Sequence, residues 1–147
     1  MDGGCGCGQV KYTITAPQLP VVYACHCNDC QTQSGSAFAL QMPVFEGMLS
    51  VSGELVSGER TQPSGAIGTI FACTKCLVRV YSKNSTRAGM VTVKAGTLDD
   101  SNGVVPKFHL WTSSKQPWVA IPEDTVALQE QPGSTAEWMQ LLLPATP

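Results

Sequence analysis

Apolar and polar positions alternate along much of this chain. Gln9-Val10-Lys11-Tyr12-Thr13-Ile14-Thr15 puts Val10, Tyr12 and Ile14 on one face, the period of a half-buried strand. Pro17 and Pro20 break that run, and Val21–Ala24 begins another. Ala37–Met42 reads as a strand stopped by Pro43, and Leu49–Ser52 as one ended by Gly53. Glu54–Thr61 and Gly68–Ala72 suit a hairpin turned at Pro63-Ser64-Gly65. Leu77–Ser82, Val91–Ala95 and Lys107–Thr112 complete the set, with His109 and Trp111 on one face of the last. Gln31–Ser36 is a turn or a short helical piece. Only the C-terminus has a full helical signature: Ser134-Thr135-Ala136-Glu137 is a capping box before Trp138–Leu143, and Pro144 ends the helix. Many short strands with Gly/Pro turns predict an all-β fold with a short C-terminal helix.

The 147 residues fit one domain, with a core over about 3–125 and an extension over 126–147. Hydrophobic residues make up 43%, enough for a packed core. Charged residues are 14%, against about a quarter in an ordinary globular chain. The net charge is −2 and the nine basic residues form no run, which disfavours nucleic acid as a partner. No stretch reaches the roughly 20 apolar residues that span a bilayer. The start, Met1-Asp2-Gly3-Gly4, lacks the features of a signal peptide, so the expected location is the cytosol.

The seven cysteines change the picture most. They fall in three clusters: Cys5-Gly6-Cys7, Cys25-His26-Cys27-Asn28-Asp29-Cys30 and Cys73-Thr74-Lys75-Cys76. Disulfides would leave one cysteine over, and a reducing compartment disfavours them. Buried free thiols would be scattered rather than grouped at ligand spacing. Metal binding remains, with zinc as the default ion for soft thiolates, two per chain. Cys25, Cys27 and Cys30 can wrap one ion within six residues. Cys5 and Cys7 then meet Cys73 and Cys76 in a closed site. The three-cysteine site keeps a fourth position for water or substrate, unless His26, His109 or an Asp closes it.

The order of these motifs resembles the glutathione-dependent formaldehyde-activating enzyme family, which includes centromere protein V. Gly4–Tyr12, Ser34-Gly35-Ser36-Ala37-Phe38-Ala39, Gly96-Thr97-Leu98-Asp99-Asp100 and His109-Leu110-Trp111 with Ser114-Lys115 and Pro117-Trp118 carry it further. The resemblance implies a β-tent of short antiparallel sheets around zinc sites. It implies a structural zinc at Cys5, Cys7, Cys73 and Cys76, and a catalytic zinc at Cys25, Cys27 and Cys30. It also implies a carbon–sulfur lyase-type reaction joining glutathione to formaldehyde. The family usually has Gly directly after the last cysteine. Here that position is Leu77, in a turn that favours positive φ, so a strained knuckle is expected.

Three thiolates leave the open site with net charge near −1, better suited to capturing a thiol than to demanding water activation. Asp29, Gln33, Ser34 and Ser36 are near enough in sequence to support it, or else serve the turn. His109 is the distant candidate for a general acid or base. Phe38, Trp111 and Trp118 wall a pocket or fill the core. The expected partner is a small thiol or carbonyl compound, and a homo-oligomer is compatible with the sequence. Scarce basic residues leave room for an isomerase, epimerase or lyase acting on an apolar carbonyl or imine. A third class, a binding module with two structural zincs, fits the same ligands.

Overall fold

The computed structural model describes residues 1–62 and 64–143. The expected turn residue Pro63 and helix terminator Pro144 therefore lie outside the described residues. The chain is mostly β-structure with two short helices, and it divides into two compact units.

The first unit comprises residues 1–20 and 42–103. Strands β1 (Asp2–Gly4), β2 (Lys11–Ile14) and β5 (Leu49–Ser52) form a three-stranded sheet in the order β1-β2-β5, both pairings antiparallel. The alternation in β2 is the one the sequence carries: Tyr12 and Ile14 are buried, Lys11 and Thr13 exposed. Strands β6 (Leu55–Thr61), β7 (Ile67–Cys73), β8 (Arg79–Asn84) and β9 (Met90–Lys94) make an antiparallel meander that continues into the strand Ala39–Phe45. Val91 and Val93 point into the core, with Val80 and Met42 also fully buried. Strand β4 (Ala39–Phe45) gives its last four residues to this unit and its first three to the other. It runs straight through Pro43, where the sequence suggested a stop. Proline removes one ladder donor but keeps an extended backbone.

The second unit comprises residues 21–41 and 104–147. Strand β3 (Tyr23–Cys25) pairs antiparallel with β4 and parallel with β10 (Phe108–Leu110). β10 in turn pairs in parallel with β11 (Val126–Ala127). Every residue of β3 and β10 is buried. That is the usual state of strands in parallel pairing, covered on both faces. Tyr23 stacks on Phe108 with ring centroids 5.0 Å apart, and Trp138 meets Tyr23 edge-on at 5.7 Å. Helix α1 (Asn28–Ser34) forms where a turn or helical piece was expected. Helix α2 (Thr135–Leu142) begins at the capping box: Ser134 Oγ accepts from Glu137 N, and Glu137 Oε2 accepts from Gly133 N. Among the described residues, no helix is long and apolar enough to cross a membrane.

Gly53 holds the end of β5 against the N-terminal cysteine loop. Its φ is +96°, and a Cβ there would sit 2.1 Å from Gln9 O and 2.9 Å from Val10 Cα. Both obstacles are backbone, so neither yields cheaply. Gly53→Ala is expected to lower unfolding stability by about 2–4 kcal/mol. Gly58→Ala, where a Cβ meets nothing within 4 Å, should change it by no more than about 0.5 kcal/mol. Urea denaturation of both variants checks this. Equal effects would contradict the close approach at Gly53.

Candidate metal centres

Two groups of side chains in this fold could hold a metal ion. In the first unit, the sulfurs of Cys5, Cys7, Cys73 and Cys76 all lie within 4.8 Å of one another. Cys5 Sγ and Cys7 Sγ are 3.5 Å apart, Cys7 Sγ and Cys73 Sγ 3.7 Å. A tetrahedron with metal–sulfur bonds of about 2.3 Å has edges of about 3.8 Å, so the sulfurs stand close to the spacing such a shell requires.

Two loops of the same design build this group. In the first, Cys5 N donates to Val10 O and Gly8 N donates back to Cys5 O. In the second, Cys73 N donates to Val78 O and Leu77 N donates back to Cys73 O. Each loop also aims backbone N–H groups at sulfur: Val10 N at Cys5 Sγ and Lys75 N at Cys73 Sγ. Charged acceptors gain most from such bonds. The Val10 N–H, with hydrogen bonds from the Cys7, Cys73 and Cys76 thiols, holds the Cys5 thiol down at about 6. Each loop closes through a left-handed residue. In the first it is Gly8 (φ 78°), in the second Leu77 (φ 59°). The strain expected from Leu where Gly is usual is therefore present. Leu77 is also 69% exposed, so its side chain gains little packing in return.

In the second unit, Cys25, Cys27 and Cys30 bring three sulfurs within 4.8 Å of one another, and no fourth His, Cys, Asp or Glu joins them among the described residues. Cys25 comes from the end of β3. Cys27 is the N-cap of α1, its sulfur accepting from Cys30 N at 3.3 Å. Cys30 sits in the first turn of the helix. A negative sulfur at a helix start also meets the positive end of the backbone dipoles. Hydrogen bonds from Cys25 and Cys30, reinforced by backbone N–H groups of Cys30 and Asp29, pull the Cys27 thiol down to about 2. Hydrogen bonds to Cys27 and Cys30, then burial, push Cys25 far up. Three adjacent sulfurs cannot all carry charge unaided, and a bound cation removes that conflict.

His26, between two of these cysteines, is pinned from several sides. Its N–H donates to Leu110 O, and its carbonyl accepts from Gln31 Nε2 at 2.7 Å and Ser114 Oγ at 3.0 Å. Its Nε2 lies 2.8 Å from His109 Nδ1, and its ring packs against Phe38. Its Nδ1 is buried with no partner among the described residues. His26 is thus no fourth ligand. His109 is brought to the motif, one hydrogen bond behind it, and is 5% exposed. Trp111 does not share a strand face with His109: β10 ends at Leu110, and Trp111 turns into the left-handed region at φ 59°. Trp111 packs against the cluster of Tyr23, Cys25, Phe108 and Leu110. Trp118 is 74% exposed. Ser34 and Ser36 serve the helix-ending turn, with Ser34 Oγ donating to Phe38 O and accepting from Ser36 N. Gln31, Gln41 and Ser114 also reach the cysteine motif, contacts that no local pattern in the chain announces. Glutamine carries no motif, and their partners lie up to 88 residues away.

The fold and its two cysteine groups define a small, mostly β protein with two candidate metal centres. The chain belongs to the glutathione-dependent formaldehyde-activating enzyme family, whose model matches residues 1–114. A Halomonas elongata protein named "Putative glutathione-dependent formaldehyde-activating enzyme" is 25% identical over 146 aligned residues, covering 94% of this chain and 93% of the relative. A crystal structure of a Rhodobacter sphaeroides protein shares the fold, with a TM-score of 0.57 and 18% identity over 72% of this chain and 98% of the other.

Leu77→Gly should raise unfolding stability by about 1 kcal/mol, the strain of one left-handed Leu, with metal content unchanged. A thermal melt checks it, and destabilisation would mean that the Leu77 side chain is holding the loop. Burial first, then the neighbouring His109 and Lys115, hold the His26 imidazole down at about 4. A depressed histidine keeps the native state neutral while the unfolded chain protonates. Its contribution to stability is therefore present above about pH 6.5 and is lost as pH falls through about 4. Side-chain NMR should show a neutral His26 ring at pH 5.5. A midpoint near 6.5 would contradict the buried pair.

Proposed function

We propose that the chain holds two zinc ions and joins a thiol to formaldehyde or a related small carbonyl, with glutathione as the family's thiol. In this reading Cys5, Cys7, Cys73 and Cys76 form the structural site. Cys25, Cys27 and Cys30 form the catalytic site. The observation that carries the proposal is the three-sulfur group with no fourth protein ligand among the described residues.

The reaction forms one C–S bond. The thiol sulfur attacks the carbonyl carbon, the C=O π pair moves to oxygen, and the thiol proton ends on that oxygen. When bound, zinc supplies a position at which a thiol ionises near neutral pH. The chain's own residues do the rest. Cys27 and Cys30, fixed by the start of α1, set two corners of the site. Cys25, at the end of a fully buried strand, sets the third. His109, held neutral by burial, is the proposed proton-handling group, and it acts through His26.

A second reading keeps the site and changes the substrate to an apolar carbonyl or imine. The basic residues of the second unit are Lys107 and Lys115. Lys115 Nζ donates to the backbone carbonyls of Gln116 and Val119. That leaves little to hold the two carboxylates of glutathione.

The test combines zinc content with NMR of glutathione and formaldehyde against the spontaneous rate. Wild-type chain should carry two zincs and accelerate adduct formation. Cys27→Ala should carry one, remain folded and lose on the order of 10²-fold in rate or more. His109→Asn should keep both zincs and lose on the order of 10-fold or more. No acceleration by a two-zinc protein would overturn the glutathione reading. If an uncharged thiol or an apolar carbonyl then reacts, the second reading replaces it.

A further inference from the structure

Gln41 is a buried amide, 7% exposed, in the middle of β4. The antiparallel register pairs Cys25 with Ala39 and Tyr23 with Gln41. Directly opposed residues share a face, so Tyr23, Cys25, Ala39 and Gln41 all point to the same side of the sheet. That side carries the apolar cluster of Tyr23, Phe108 and Leu110. A buried amide is stabilised where its N–H meets an acceptor. Gln41 Nε2 lies 3.5 Å from Cys30 Sγ, within range of an N–H···S hydrogen bond.

A neutral thiol is a weak acceptor, whereas a thiolate is a strong one. The three sulfurs are served unequally. Cys27 Sγ accepts from a backbone N–H, and Cys30 Sγ accepts from Gln41. Among the described residues, Cys25 Sγ is paired with Cys27 Sγ. The backbone N–H that serves Cys27 Sγ is Cys30's own, so it does not serve Cys30 Sγ. A side chain from another strand does.

We propose that Gln41 is a positioning residue for the three-cysteine site, its side-chain amide holding Cys30 Sγ in the place a metal ion needs. The proposal rests on the metal reading of that site and deepens it. Drawing charge from one sulfur also makes the three-thiolate set a less saturating donor. The ion then keeps more attraction for a substrate thiol.

Cobalt(II) titration tests this, because thiolate-to-cobalt charge transfer reports the basicity of the sulfurs. Wild-type chain should bind two cobalt ions per chain. Gln41→Leu removes the donor at similar volume. Gln41→Met keeps the length and removes the donor. Both should keep the first site unchanged and lower the affinity of the second by about 10–100-fold in chelator competition. In both, the charge-transfer band of the second site should move to lower energy. Unchanged affinity and band position in either folded variant would overturn the proposal. If one variant fails to fold, the other decides. If wild-type chain binds no cobalt at Cys25, Cys27 and Cys30, the metal reading itself falls, and the role of Gln41 falls with it.

Discussion

The structure depends on bringing sulfur close to sulfur. Seven thiols converge in two groups, with the closest pairs 3.5–3.7 Å apart. At that separation thiolates repel strongly, and neutral thiols gain little from one another. The fold nevertheless holds them there with backbone N–H groups, a helix start and a buried amide. All of these favour negative charge. Such an arrangement is costly for an empty chain and favourable for one that carries a cation. With the proposed ions bound, part of the stability of the fold resides in the metal, as it does in small metal-held domains generally.

The two groups solve the problem differently. Four sulfurs on two matching loops close a shell and tie residues 5–7 to residues 73–76. Three sulfurs around the start of α1 leave a shell open. In the open group the rigidity comes from His26. Its backbone and ring are tied to Leu110, Gln31, Ser114 and His109, so the cysteines on either side have little freedom. In the proposed reaction, where substrate enters at one corner, the site benefits when the other corners cannot move.

Much of this could be read in the sequence. The cysteine spacing gave both groups, because ligand spacing is local. Alternation at Tyr12 and Ile14, and at Val91 and Val93, gave buried faces directly. The capping box at Ser134 and Glu137 gave the start of α2. Leu77, standing where the family resemblance leads one to expect Gly, announced the left-handed turn. What stayed hidden was non-local or backbone-driven. β1 and β11 are two or three residues long, too short to show a period. The parallel pairing of β3 with β10 joins segments more than 80 residues apart. Trp111 takes a left-handed conformation that no propensity suggests for an aromatic residue. Gln41, Gln31 and Ser114 look like ordinary polar residues until the strand register and the turn after Trp111 bring them to the cysteine motif.

In the proposed reading two thiolate-held ions differ in kind, one closed and one open. Cadmium-113 NMR of the fully loaded chain addresses it most directly, since the shift of each ion reports its sulfur count. The account predicts two resonances. One is typical of four sulfurs and stays fixed when a thiol is added. The other is typical of three sulfurs and moves toward the four-sulfur range as the thiol enters the open position. A single resonance, or two that both ignore added thiol, would contradict it.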